Sequence, residues 1–233
     1  GKSDDKGHRI VDGNELSVLS QELLQHSPRL QVLDLSENKL TSLPHNVLDR
    51  IPLLETLDLR SNKLTELPGE IFSGLSKLQE LDLGWNELSE LPAGVFAGLS
   101  NLQILNLRSN KVSELPAEVF SGLSSLQKLN LGYNSLTRLH AGVFSGLRNL
   151  QHLNLGYNSL SKLPAEVWAH LFAGLSNLRK LNLRSNKLGE LPSKVWSKSF
   201  AGLSHLKELY LGGNDLSKLH AEAFSTLDRK SVV

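Results

Sequence analysis

Cysteine and methionine are both missing from the 233 residues. Without cysteine there can be no disulfide, no thiol nucleophile and no thiolate metal site. No asparagine opens an Asn-x-Ser/Thr acceptor, so N-linked glycosylation is not expected. Both absences count against an animal extracellular domain. No apolar run approaches the length of a membrane span, and no secretory leader opens the chain. The first residue is Gly1 rather than Met, which reads as a mature form, a trimmed domain or a recombinant product. An excess of one charge sign is lacking too: the net charge is +1, which sets nucleic acid aside as a partner. That balance conceals a division. Residues 1–120 carry 11 Lys/Arg against 18 Asp/Glu, and residues 121–233 carry 14 against 6. In an elongated molecule this would be an end-to-end dipole, read either as drift among solvated positions or as steering of a partner.

Catalytic motifs are missing as well. There is no Walker loop, no Gly-x-Gly-x-x-Gly and no Gly-x-Ser-x-Gly, and the recurrent Phe-Ser-Gly-Leu serines have no local base. The 8 histidines are scattered, and His152 has no ligand partner at metal-binding spacing. Neither an enzyme, a cofactor nor a metal is expected. Asp34, Asp58 and Asp82 form an acidic row able to hold a cation weakly, although solvated like charges are the plainer account.

What the chain does have is a period. Asparagines stand at 14, 38, 62, 86, 110, 134, 158, 186 and 214, each followed two positions later by Leu or Val. The spacing is 24 residues and then, for the last two steps, 28. Such self-similarity marks a solenoid of stacked units rather than a single globule. Taking Asn110 as reference, Leu102, Leu105 and Leu107 precede it, and the alternation in Leu105-x-Leu107 is a short strand signal. Each strand can meet its copy in the next repeat only in parallel. Leu43, Leu67, Leu91, Leu115, Leu163 and Leu191 are each followed by a proline, which ends the strand and fixes the return turn. Phe72, Phe96, Phe120, Phe144 and Phe224 begin a recurring tetrad, predicting an aromatic column beneath the convex side. The asparagines Asn38, Asn62, Asn86, Asn110, Asn134, Asn158, Asn186 and Asn214 fall where the strand turns inward. There an amide can satisfy backbone groups that would otherwise be buried unpaired.

The pattern LxxLxLxxNxLxxLPxxxFxGL, in register over about residues 8–227, resembles the leucine-rich repeat superfamily and its 24-residue "typical" subtype. That subtype is known from Toll-like receptor ectodomains, lamprey variable lymphocyte receptors and small proteoglycans. The resemblance implies an α/β right-handed solenoid, a horseshoe with a parallel sheet on its concave face and short helices or turns on the convex face. It also implies recognition of macromolecules and an extracellular or cell-surface setting. Those relatives usually close both ends with cysteine-bonded caps, and this chain has none.

The reading is one domain over 1–233, with an N-terminal cap and degenerate first repeat at 1–28, full repeats at 29–219 and a C-terminal cap at 220–233. SQELLQHS predicts a short capping helix. AEVWAHLFAG and SKVWSKSFAG each insert four residues, about one helical turn. Trp168 and Trp196 in them read as packing residues on a convex helix, with a convex docking bump as the alternative. The closing Ser231-Val232-Val233 has the form of a peptide captured by a PDZ domain.

Specificity, if present, belongs to the outward strand positions and to the two residues before each asparagine. The latter alternate between Arg-Ser and Gly-aromatic: Arg60-Ser61, Gly84-Trp85, Arg108-Ser109, Gly132-Tyr133, Gly156-Tyr157, Arg184-Ser185. Tyr, Trp and Arg are enriched at interface hot spots. The candidate partner-binding set is Arg60, Trp85, Arg108, Lys128, Tyr133, His152, Tyr157, Arg184 and Tyr210, centred on Trp85, Arg108, Tyr133 and Tyr157. The leading expectation is a non-enzymatic module binding a protein partner through the concave face, as a monomer or with weak, salt-sensitive self-association. The competing expectation is a self-associating scaffold, and the close likeness of the repeats would suit a designed or recently duplicated array.

Overall fold

The computed structural model describes residues 2–3, 7–161, 163–219, 224 and 227. Most of the C-terminal segment 220–233, including Ser231–Val233, lies outside the described residues.

Among the described residues, ten strands form one sheet in strict chain order. β1 (Lys2–Ser3) is antiparallel to β2 (His8–Ile10). β2 and β3 (Val32–Asp34), β4 (Thr56–Asp58), β5 (Glu80–Asp82), β6 (Ile104–Asn106), β7 (Lys128–Asn130), β8 (His152–Asn154), β9 (Lys180–Asn182) and β10 (Glu208–Tyr210) are all parallel. From β3 to β10 each strand is three residues long, with only its central leucine pointing inward, as at Leu105 and Leu129. The next leucine, such as Leu107, turns inward as well and is fully buried. The antiparallel β1 over the first repeat carries no periodic signal and was not foreseen.

Register shows why the repeat length can change. Lys180 pairs with His152 and Glu208 with Lys180, in step with every 24-residue neighbour, although these repeats are 28 residues long. The four extra residues are absorbed on the convex side, where turns give way to α1 (Ala165–Leu171) and α2 (Ser193–Phe200). Trp168 and Trp196 are buried there with ring centroids 5.7 Å apart. The alternative of a convex docking bump therefore fails, because its two aromatic side chains face the core. SQELLQHS forms a single 3-10 turn, Gln21–Leu23, shorter than the predicted helix. Arg9 ties it to β2 by donating to the Leu23 carbonyl at 2.6 Å and to Ser27 Oγ at 3.1 Å.

Curvature follows from two spacings. Strands in a sheet repeat at about 4.8 Å, whereas the phenylalanine rings behind them stack at 6.2–6.3 Å from Phe72 through Phe96 and Phe120 to Phe144. Phe172 and Phe200, four residues later in their repeats, stack on one another at 6.2 Å, and Phe224 follows Phe200 at 6.0 Å. Each repeat is thus a wedge, thin at the strand and thick at the ring, so the sheet lies on the concave face.

Asparagine amides close the wedges at the strand ends. Asn110 Nδ2 donates to the carbonyls of Leu107 in its own repeat, at 3.1 Å, and Leu83 in the one before, at 3.0 Å. Its Oδ1 accepts from Leu88 N at 3.0 Å. The same three bonds recur at Asn62, Asn86, Asn134, Asn158 and Asn186. Asn38 and Asn214 repeat the arrangement at the two ends of the ladder.

Candidate binding face

The residue before each asparagine takes a left-handed backbone. Ser61, Trp85, Ser109, Tyr133, Tyr157 and Ser185 have φ between 51° and 57°. That conformation is costly for a bulky L-residue, yet it swings the side chain out of the strand and over the rim of the concave face. There Tyr133 and Tyr157 stack with centroids 4.2 Å apart and planes 8° from parallel. The Arg108 guanidinium inserts between Tyr133, at 4.7 Å, and Trp85, at 5.6 Å. The flanking Gly84 and Gly132 bear no side chain, and a Cβ on Gly84 would meet Asn106 Nδ2 at 3.0 Å and Asp82 Oδ1 at 3.1 Å. Trp85, Arg108, Tyr133 and Tyr157 therefore form one ladder across four consecutive repeats. Trp85 remains 54% exposed and the two tyrosines 42% and 40%, so the rings present a free edge.

The other candidates divide. Arg60 is held by Asp58 of its own repeat, Nε to Oδ2 at 3.3 Å, and stays apart from the ladder. Lys128 and His152 line a shallow concave cavity of about 350 Å³ together with Lys180 and the amides of Asn130, Asn154 and Asn182. Burial, and then the Lys128 and Lys180 charges, hold the His152 imidazole below its usual range. Arg184 and Tyr210 meet at 5.5 Å in a second cluster nearer the C-terminus. There the Tyr210 hydroxyl donates to Glu208 at 2.8 Å, Lys180 pairs with Glu208 at 3.1 Å, and Lys180 lies 5.3 Å from the Tyr210 ring.

Sequence reasoning passed over the opposite rim. A polar groove of about 440 Å³ runs there past Gln103, Gln127 and Gln151. The signal was available, since glutamine recurs at 79, 103, 127 and 151 with the repeat period. Among the described residues, no three His, Cys, Asp or Glu side chains gather as a metal-ligand set, and no helix is long and apolar enough to cross a membrane.

A parallel-stranded solenoid with inward leucines and an asparagine ladder is defined by its repeat, and the comparisons agree. Models described as leucine rich repeat match residues 10–64, 52–112, 100–160, 177–198 and 205–227. The chain belongs to the leucine-rich repeat family. Three solved structures share the fold. TLR13, solved in a complex with ssRNA13, is 28% identical with a TM-score of 0.73, covering 92% of this chain and 33% of its own. Drosophila Toll, solved in a complex with Spatzle, is 25% identical with a TM-score of 0.74, covering 92% and 32%. The Leptospira interrogans protein LIC12759 is 31% identical with a TM-score of 0.65, covering 93% and 63%. The chain thus spans about a third of the two receptors it resembles and under two thirds of the bacterial protein. No curated protein matches in the sequence comparison. Leucine-rich repeats are in general binding modules, and the receptor-like neighbours are consistent with that class.

Proposed function

We propose that this chain is a non-enzymatic recognition module that binds a protein partner through its concave face, with the Trp85–Arg108–Tyr133–Tyr157 ladder as the energetic centre. The observation that carries this reading is the ladder itself: large, rigid, exposed rings with a guanidinium already fixed between them. Hot spots favour these residue types because rings with few rotors bury much area at low entropic cost. Stacking also removes most of the ordering that binding would otherwise require. Lys128 and His152 on the cavity floor, with Arg184 and Tyr210 beyond, extend the face, while Arg60 is a rim residue already neutralised.

The test is a quantitative binding assay on a captured partner. Tyr133→Ala together with Tyr157→Ala should weaken binding at least tenfold while the melting temperature stays nearly constant. Convex Lys194→Ala should do nothing. Unchanged affinity in the double tyrosine variant would move the site off this face.

A further inference from the structure

The three Arg-Ser repeats differ in one respect. Arg60 finds its counter-ion two residues earlier, in Asp58. Arg108 has Asn106 at that place and Arg184 has Asn182. Those asparagines still do the aspartate's backbone work, each Oδ1 accepting from the arginine's own N–H at 2.9 Å. What has been withdrawn is the charge. The outward strand row changes from Asp34, Asp58 and Asp82 to Asn106, Asn130, Asn154 and Asn182 at the repeat where the aromatic ladder receives its arginine.

Arg108 is left in an unusual state. Its Nε is buried without a hydrogen-bond partner, and among the described residues no carboxylate pairs with its guanidinium. Asp82, the acid of the preceding repeat, is engaged by Gly84 N at 2.9 Å and Asn106 Nδ2 at 3.1 Å. One strand on, Lys128 is exposed and also forms no ion pair among the described residues, unlike Lys180 with Glu208. A guanidinium fixed between two rings and deprived of its internal counter-ion is arranged to take one from outside.

We infer that the partner of this face is an acidic peptide segment, laid across β6 to β9, whose carboxylates pair with Arg108 and Lys128. This rests on the concave-face reading above and names the chemistry of its ligand. Apolar side chains of the segment would cover the free edges of Tyr133 and Tyr157. The excess of basic residues after residue 120 favours the same sign of ligand and would hasten its approach.

The probe is a fluorescein-labelled hexaglutamate flanked by leucines, titrated by anisotropy at low ionic strength beside its hexalysine and hexaglutamine counterparts and an oligouridylate. Saturable binding of the acidic probe alone is expected, weakened about tenfold by Arg108→Gln or Lys128→Gln. Asn106→Asp is the sharper variant. It removes no contact residue, places a residue the fold already accepts at positions 34, 58 and 82, and gives Arg108 the internal counter-ion that Arg60 has. It should lower affinity about tenfold, measured well below a melting temperature that the lost Asn106–Asp82 hydrogen bond and the added carboxylate are expected to reduce.

Failure of the acidic probe to bind, or binding indifferent to Asn106→Asp and Arg108→Gln, overturns the inference. Equal binding of hexaglutamine that is lost on Tyr133→Ala with Tyr157→Ala overturns the acidic ligand but leaves the concave-face reading standing. Tighter binding of oligouridylate with the same variant dependence replaces the acidic peptide with nucleic acid. Binding abolished by convex Lys194→Gln but not by Arg108→Gln overturns both readings.

Discussion

Asp58 lies between Asp34 and Asp82 on the concave face, and burial, ahead of those like charges, pushes its carboxyl up to about 6. The folded protein therefore holds this proton more tightly than the unfolded chain, whose ordinary value is 3.8. The stabilising contribution of the protonated form is fully present below that ordinary value and is lost as pH rises through about 6. Asp58→Asn should raise the melting temperature near neutral pH, with the gain vanishing below about pH 4. Asn106 shows that an amide fits this place, since its Oδ1 accepts from Arg108 N as Asp58 Oδ1 accepts from Arg60 N. A gain independent of pH would mean that burial of the charge is not its cause. The left-handed positions offer a second test at this scale. Ser61 has φ 55°, and Gly213 holds the equivalent place with φ 72°. Ser61→Gly should stabilise by about 0.5–1 kcal/mol in urea unfolding, the relief of left-handed strain exceeding the entropy that glycine costs.

Within one repeat, burial alternates residue by residue, and stability should follow it. Leu107 is completely buried between neighbouring repeats, so Leu107→Ala should cost about 2–5 kcal/mol. Arg108→Ala, one residue on, gives up two cation–ring contacts on a partly exposed surface and also removes an unsatisfied Nε. Its cost should stay under about 1 kcal/mol. Equal losses in a urea titration would contradict the assignment of faces. α1 and α2 test the element scale differently. Trp168→Ala empties a site enclosed by Trp196 and Phe172 and should cost about 3–5 kcal/mol, without altering the register of β8 and β9.

Across the whole molecule, ring spacing falls from 6.2 Å in the phenylalanine column to 4.2 Å in the concave tyrosine pair, with about 4.8 Å at the sheet between them. Such a stack is held by nearest neighbours, so its ends and its charge distribution govern whether copies meet. The acidic first half and basic second half predict attraction between copies that is screened over about 8 Å at physiological ionic strength and reaches about 30 Å near 0.01 M salt. Self-association from this source should show in sedimentation at low salt and disappear as sodium chloride is raised. Association surviving at 1 M salt would point instead to apolar contact. A monomer at every ionic strength would end the scaffold reading.

The asparagine period, the leucine alternation and the prolines were sufficient to read the solenoid, its parallel sheet and the inward faces from sequence. The reason is that each repeat contacts only its neighbours, so local pattern and tertiary contact share one period. The ladder was partly legible: adjacency of Tyr133 and Tyr157 follows from a 24-residue spacing in parallel register. Only the tertiary structure separated Arg60, neutralised by Asp58, from Arg108, inserted between two rings. It also decided for the packing reading of Trp168 and Trp196 over the docking one, stacked Phe172 on Phe200 despite the four-residue delay, and added β1 against the first repeat. These outcomes depend on side-chain direction and on contacts outside the period. A repeating pattern fixes where each residue stands along the sheet, while the distances among its neighbours decide which charges are paired and which remain free for a ligand.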